Sequence, residues 1–291
     1  MQTRPEHSRL RWLAGPSGGG WFDLAREISE KLDQQHGPDL TIDVIPGGGF
    51  DNPLAVDRGR ADIAMTVDFL AHAAIAGSPP YEHPTTNIAI LVDGLSALPF
   101  HLLRRTPAAV MLDTAIRQPG FRVAIPERHT ADELTFRFAM DFYGESYASI
   151  AEKDGLVIHG DYTDITDAFC GGQVDYLFGA TTSPANVIRS IAMRSREARL
   201  DSLPDDLMHH LVKSHRYLPM RIPAGTYPWS VSHDAATVGF GTVLIKAKDS
   251  DNPFLEAVVQ SIRRHLGIPL AGIADHDTGA PQPDLAASSA D

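Results

Sequence analysis

Two segments of this chain repeat each other. Gly59-Arg60-Ala61-Asp62 leads into the apolar run Ile63-Ala64-Met65, and 113 positions later Gly172-Gln173-Val174-Asp175 leads into Tyr176-Leu177-Phe178. Upstream of each lies a matching strand, Arg11-Trp12-Leu13-Ala14 and, 111 positions on, Arg122-Val123-Ala124-Ile125. Both halves read strand, loop, helix, strand, loop, helix, Gly-x-x-Asp, strand. Strands that alternate with helices demand parallel pairing through βαβ units, so two copies imply two similar α/β lobes. Ligands of open α/β sheets bind beyond the carboxyl ends of the strands. Five loops occupy those ends: 15–20, 47–52 and 66–68 in the first half, 126–130 and 180–184 in the second. If the lobes face each other, all five converge on one cleft.

The first loop carries Gly18-Gly19-Gly20 directly ahead of a helix whose apolar face is Trp21, Ala25, Ile28 and Leu32. Bare N–H groups at a helix N-terminus suit an anion such as a carboxylate; an isolated glycine run also reads simply as a flexible turn. A strand over 40–45 follows, then short helices over 53–58 and 69–75 and strands over 88–92 and 100–104. In the second half, Thr130-Ala131-Asp132-Glu133 has capping-box spacing, with Glu133 reaching back to the Thr130 N–H. Leu134, Phe138 and Phe142 mark that helix's face, and Gly144 suits its C′ position. A strand over 156–158 and a helix over 165–170 precede the second Gly-x-x-Asp. Beyond residue 203 the reading is a helix over 205–214, a long strand over 236–245, and a helix opening at Asp251-Asn252-Pro253 and ending at Gly267. That last helix buries Phe254, Val258 and Ile262 and is expected to return to the first lobe.

Composition narrows the function classes. With 43% hydrophobic and 21% charged residues, the 291-residue chain is that of a soluble globular protein. Its net charge of −12 argues against a nucleic-acid partner, but not against a small anion, because local backbone donors outweigh global charge. Cys170 is the single cysteine, so no intrachain disulfide forms, and its place beside Phe169 is that of a packed small hydrophobe. No run approaches the ~20 apolar residues of a membrane span. The first nine residues lack an apolar core, so either the chain is cytoplasmic or a leader lies outside this sequence. The stretch 273–291 is rich in Pro, Ala, Ser and Asp and reads as a disordered tail.

Ile222-Pro223-Ala224-Gly225-Thr226-Tyr227-Pro228, with Ala236-Thr237-Val238 shortly after, resembles the TAXI family of TRAP-transporter solute-binding proteins. Gly18-Gly19-Gly20-Trp21-Phe22, Gly48-Gly49-x-x-Asn52, Gly59-x-x-Asp62 and Asp68 fit the same pattern in order, over roughly residues 11–266. The resemblance implies a two-lobed periplasmic-binding-protein fold with crossing hinge strands. It implies an exported receptor that takes one small acidic ligand, an amino acid or dicarboxylate, into the interlobe cleft and delivers it to membrane permease subunits. It implies no catalysis, cofactor or metal. The expected organisation is a first lobe over 1–98, a second over 99–232, and a return to the first over 233–272. One loop departs from the family: where a small Gly-Ser-Gly-Thr run is usual, this chain has Glu127-Arg128-His129-Thr130, keeping only the threonine.

The candidate ligand-binding residues are Ser17, Gly18, Gly19, Gly20, Trp21, Asn52, Asp68, Arg128, His129, Thr130, Thr181 and Thr182. Arg128 either clamps a carboxylate through two parallel hydrogen bonds or points to solvent. His129 either donates or acts as a general acid/base, or is also solvated. Of Trp21 and Phe22, one is expected in the cleft and one in the core. Asp68 and Asn52 either face the cleft or cap a helix, and Thr181, Thr182 and Ser183 either donate hydroxyl hydrogen bonds or cap the next helix. His209, His210 and His215 lack metal-pair spacing and read as a solvated helix face; His101 reads as a satisfied core histidine. No Ser-His-Asp order, Walker loop or Cys/His metal spacing occurs. The alternative to a receptor is a cytoplasmic enzyme on the same fold, a decarboxylase or other lyase using Arg128 and His129. That alternative rests on fold-level analogy.

Overall fold

The structure, a computed structural model, describes residues 7–106, 109–227 and 234–268. The tail expected over 273–291 and the end of the Ile222–Pro228 run lie outside the described residues. The chain runs β1 (Ser8–Leu13), α1 (Gly20–His36), β2 (Leu40–Ile45), α2 (Asn52–Asp57), β3 (Ile63–Val67), α3 (Asp68–Ala76), β4 (Ile88–Val92) and β5 (Ala97–Arg105). It continues through α4 (Leu112–Ala115), β6 (Arg122–Pro126), α5 (Ala131–Tyr143), α6 (Tyr147–Glu152), β7 (Leu156–Gly160), α7 (Tyr162–Cys170), β8 (Tyr176–Ala180), α8 (Asn186–Arg194) and β9 (Ala198–Asp201). It closes with α9 (Asp205–His215), β10 (Leu218–Ile222), β11 (Ala235–Ala247) and α10 (Leu255–Leu266).

The strands form two sheets of one topology. In the first, β1 pairs in parallel with β2 and β3, and β11 runs antiparallel to β3 and β4. In the second, β6 pairs in parallel with β7 and β8, and β5 runs antiparallel to β8 and β9. The orders β2-β1-β3-β11-β4 and β7-β6-β8-β5-β9 are copies of each other. The two antiparallel strands also pair with each other, Gly239 opposite Pro99 and Gly241 opposite Ala97, and so join the sheets.

The repeated aspartate has the same task in both lobes. Asp62 accepts the Arg11 guanidinium (Nη2 to Oδ1, 2.8 Å) and the Arg11 backbone N–H, while its own N–H donates to the Arg11 carbonyl. Asp175 holds Arg122 through two bonds of 2.9 and 3.0 Å, and its N–H donates to the Arg122 carbonyl. Each Gly-x-x-Asp turn therefore locks the start of the third strand of a lobe onto the first. Its glycine sits in the left-handed region, at φ +67° for Gly59 and +77° for Gly172, where a side chain would strain the backbone.

The core runs under both sheets and through their junction. Phe100 of β5 stacks on Phe178 of β8 at 5.0 Å and meets Phe240 of β11 edge-on at 5.4 Å. Each fully buried side chain of this size contributes about 1.5–3 kcal/mol by leaving water. A second cluster packs Ile28 and Leu32 of α1 with Val258 and Ile262 of α10 against the first sheet, which fixes the last helix on the first lobe. His101 is buried, bonds Pro99 O and Tyr227 Oη, and is held neutral by burial, its pKa brought down to about 4. Cys170 is half-buried at the end of α7, and burial raises its thiol pKa.

Several local expectations need correction. The helix expected from Asp251 begins at Leu255, because Asn252 Oδ1 caps the Phe254 N–H in the turn before it. Thr130 Oγ1 does accept the Glu133 N–H, but Glu133 does not reach back; its carboxylate takes the Tyr147 hydroxyl at 2.7 Å and Arg137 at 3.1 Å. His210 and His215 are not a solvated face. They stack on Phe142 (4.8 Å) and Phe138 (3.7 Å), joining α9 to α5.

Candidate ligand cleft

The cleft lies at the carboxyl ends of β1, β2, β6 and β8 and is narrow, with a volume of about 40 Å³ open to solvent at one side. Its first wall is the 15–20 loop, the start of α1, and Gly49. Gly19 precedes α1 without any side-chain cap, so the first-turn N–H groups have no partner supplied from that position. The Trp21 ring is sandwiched between Gly15 and Gly49, and its indole N–H is buried without an acceptor. The second wall is Thr130, Ala131 and Asp132 at the start of α5, Tyr162 of α7, and Ala180-Thr181-Thr182 after β8. Leu98 and Phe240, from the crossing strands, form the floor.

The lobes touch. A methyl group added at Gly48 would stand 2.8 Å from the His129 carbonyl oxygen and 3.2 Å from Thr130 Cγ2. At Gly49 it would meet Ala131 Cβ at 3.4 Å, and at Gly19 the Tyr162 ring at the same distance. The glycines of the first lobe thus allow close approach of the second, apart from any role as anion donors.

Asp132 is the charged side chain on the lining. Its Oδ1 accepts the Ala180 N–H, and the Tyr162 hydroxyl donates to the Ala180 carbonyl at 2.6 Å, so the α5 and α7 starts are tied to the end of β8. Burial pushes the Asp132 pKa up to about 6, against the opposing pull of the Ala180 N–H and its own N–H. Thr181 is buried. Thr182 is exposed and bonds weakly to Pro184 O.

Gly19, Gly20, Trp21, Thr130, Thr181 and Thr182 of the candidate set line the cleft. Phe22 packs against the first-lobe core instead. Ser17 and Gly18 are on the exposed crest of their loop. Asn52 is buried with its amide committed to the backbone: it accepts Gly48 N–H and donates to Ala14 O (2.9 Å) and Met65 O (2.6 Å). It shapes the 47–52 loop and leaves no group for a ligand. Asp68 lies against Gly241, outside the cleft lining, and accepts the Phe69 N–H; burial raises its pKa. The Thr130 hydroxyl is occupied, donating to Glu127 O and capping Glu133.

Arg128 and His129 need the largest correction. Both are exposed and neither lines the cleft. The Arg128 guanidinium sits 4.7 Å from the centre of the Tyr147 ring, captured by a cation–π contact on α6. His129 adopts φ +66°, which turns its ring towards Phe50 and Asp51 on the rim, with Nδ1 3.8 Å from the Asp51 carboxylate. Asp132, Tyr162, Leu98 and Phe240 are cleft residues that sequence reasoning missed. The one available signal was a carboxylate in the first turn of a helix that opens at a strand's carboxyl end.

Two pseudo-equivalent α/β lobes, joined by crossing antiparallel strands over a cleft, define a periplasmic-binding-protein-like fold. Over residues 13–263 the chain matches the NMT1-like family, and it belongs to that family. Among solved structures it is similar to a full-length BenM mutant, at 11% identity over 92% of this chain and 71% of that one, with a TM-score of 0.51. It is also similar to the periplasmic aliphatic sulphonate binding protein SsuA from Escherichia coli (14% identity, 91% and 74% coverage, TM-score 0.46). The substrate binding protein of an amino acid ABC transporter gives 10% identity, 89% and 95% coverage and a TM-score of 0.49. Comparison with curated proteins finds no match.

Proposed function

We propose that this chain is the solute receptor of a TRAP-type transporter of the TAXI kind, working outside the cytoplasm. It takes a small carboxylated ligand, of the amino acid or dicarboxylate class, between its lobes and presents the closed form to membrane permease subunits. The observation that carries the reading is the first wall of the cleft. An α1 N-terminus without a side-chain cap lies on the lining beside Trp21, and its unpaired first-turn N–H groups are satisfied by a carboxylate. The Ile222–Tyr227 run supports the TAXI assignment: Tyr227 Oη holds His101 on β5 and accepts the Ala185 N–H, tying that run to a crossing strand and to the start of α8. Lobe contact at Gly48 is the geometry of ligand capture by closure.

The enzyme reading loses the support of the 127–130 loop, because Arg128 is on Tyr147 and His129 is on the rim. Calorimetric titration of the purified chain with amino acids, monocarboxylates and dicarboxylates tests the proposal. Saturable binding with the ligand recovered unchanged is expected. Binding of no acid in the panel, or chemical conversion of a bound one, would overturn it.

A further inference from the structure

We infer that Asp132 is the specificity-determining residue of the cleft and that it takes an ammonium group of the ligand, which makes the solute a zwitterion rather than a dianion. This deepens the receptor reading and rests on it.

Among the described residues that line the cleft there is no Lys, Arg or His, and the one ionisable carboxylate is Asp132. The nearest cation in sequence, Arg128, is held on Tyr147. The titratable groups that feel the Asp132 charge from packed elements are Tyr162 on α7 and Tyr217 after α9, and Tyr217 also feels Asp68. None is a cation. A dicarboxylate entering here finds helix-end donors for one end and a carboxylate for the other, a like-charge contact in a poorly solvated space.

The geometry fits an ammonium. One Asp132 oxygen is fixed by the Ala180 N–H, which sets the carboxylate in place at the start of α5. Asp132 lines the cleft and, as a residue, keeps partial exposure. Trp21, Tyr162 and Phe240 contribute aromatic surface to the same lining, an environment that favours a desolvated cation. The carboxylate end of such a ligand turns to the α1 N-terminus on the opposite wall. Burial brings the Asp132 pKa to about 6, so the group is ionised at neutral pH and loses its charge in mild acid.

Calorimetry with wild type, Asp132→Asn and Asp132→Glu tests this against three probe sets: the common L-amino acids, their 2-oxo acid counterparts, and the amines left when their carboxyl group is removed. Asparagine keeps an acceptor for the Ala180 N–H, and thermal melting verifies that each variant is folded. At pH 7.5 at least one amino acid is expected to bind, its 2-oxo acid about tenfold or more weaker. Asp132→Asn is expected to weaken the amino acid about tenfold or more and to leave the 2-oxo acid unchanged or tighter, and Asp132→Glu to retain part of the preference. In wild type the amino acid's affinity falls as the pH drops below about 6, and the 2-oxo acid's does not. Equal binding of amino acids and 2-oxo acids, with no effect of Asp132→Asn, would overturn the inference and leave the receptor reading standing. Amines that bind without a carboxylate and are lost in Asp132→Asn would uphold Asp132 and overturn the carboxylate reading. Binding by no probe of any set would overturn both.

Discussion

Gly48→Ala isolates the contact between the lobes. Gly48 does not have a positive φ, so alanine is tolerated by its backbone, and the substitution acts through space alone. In the closed form the new methyl carbon would stand 2.8 Å from the His129 carbonyl oxygen, a backbone atom that cannot swing aside as a flexible side chain can. Relieving an overpacked contact of this kind costs about 1–3 kcal/mol. The cost falls on the closed form, because separated lobes place nothing of the second lobe beside Gly48. A ligand that binds by closure then loses about 5- to 150-fold in affinity at 1.4 kcal/mol per tenfold. Gly20→Ala is the control: its methyl would meet Thr182 Cγ2 at 3.6 Å, an ordinary van der Waals contact on the same cleft. Titration of both variants with the best acid from the panel, together with small-angle scattering of the bound form, measures the effect. Gly48→Ala with wild-type affinity and wild-type radius of gyration would refute the reasoning that closure brings these two loops together.

The pH dependence of stability should reveal two buried groups of opposite sign. His101 has a folded pKa near 4 against an ordinary value of about 6.5, so the unfolded chain binds more protons between these values and stability falls as pH drops through that window, by up to about 3 kcal/mol. Asp132, raised to about 6, contributes stability that is present below the ordinary carboxylate value of about 4 and is lost as pH rises through 6, also by up to about 3 kcal/mol. The urea midpoint at pH 4.5, taken relative to that at pH 7, should therefore rise in His101→Gln and fall in Asp132→Asn. Asp62→Asn removes the charge that locks Arg11; burial works to raise the Asp62 pKa but the Arg11 bonds prevail and lower it, so its contribution is complete above about pH 4 and lost as the pH falls through the lower folded value. A loss of about 1–2 kcal/mol is expected by denaturant titration at pH 7, discounted for partial exposure, and Asp175→Asn should match it. Arg128→Ala is expected to cost about 0.5–1 kcal/mol of stability and to change ligand affinity less than twofold; a larger loss of affinity would return Arg128 to the binding machinery.

The lobes were legible in the sequence because the features that encode them are local. Gly59-x-x-Asp62 and Gly172-x-x-Asp175 each need a left-handed glycine and an aspartate one strand away from its arginine, and that demand recurs at fixed spacing. The loops at the strand ends followed from the same repeat, and four of the five reach the cleft. Loop 66–68 does not; the crossing strands, with Leu98 and Phe240, fill that place. The direction of a side chain on a loop is a tertiary matter. Arg128 and His129 have the residue types of a carboxylate clamp, but Tyr147, 19 positions on from Arg128, and the backbone twist at His129 decide where they go. Asn52 looked free because its two carbonyl partners, Ala14 and Met65, lie on different strands. Asp132 was concealed in an apparent capping box, and only the Ala180 amide, 48 positions away, distinguishes it from an ordinary first-turn carboxylate. The edge strand β9 and the short α6 were too brief to show a period.

The crossing strands make the two lobes unequal in the order of their synthesis. Every strand of the second sheet, from β5 through β9, is drawn from residues 97–201 in one uninterrupted run. The first sheet is different: β3 and β4 have β11 between them, and β11 ends at Ala247. The amino-terminal lobe, made first, therefore waits for nearly the whole chain before its sheet closes. Until then the inward edges of β3 and β4 and the apolar face later covered by α10 stay open on the emerging chain, an interval in which a holdase chaperone has a strand edge to guard.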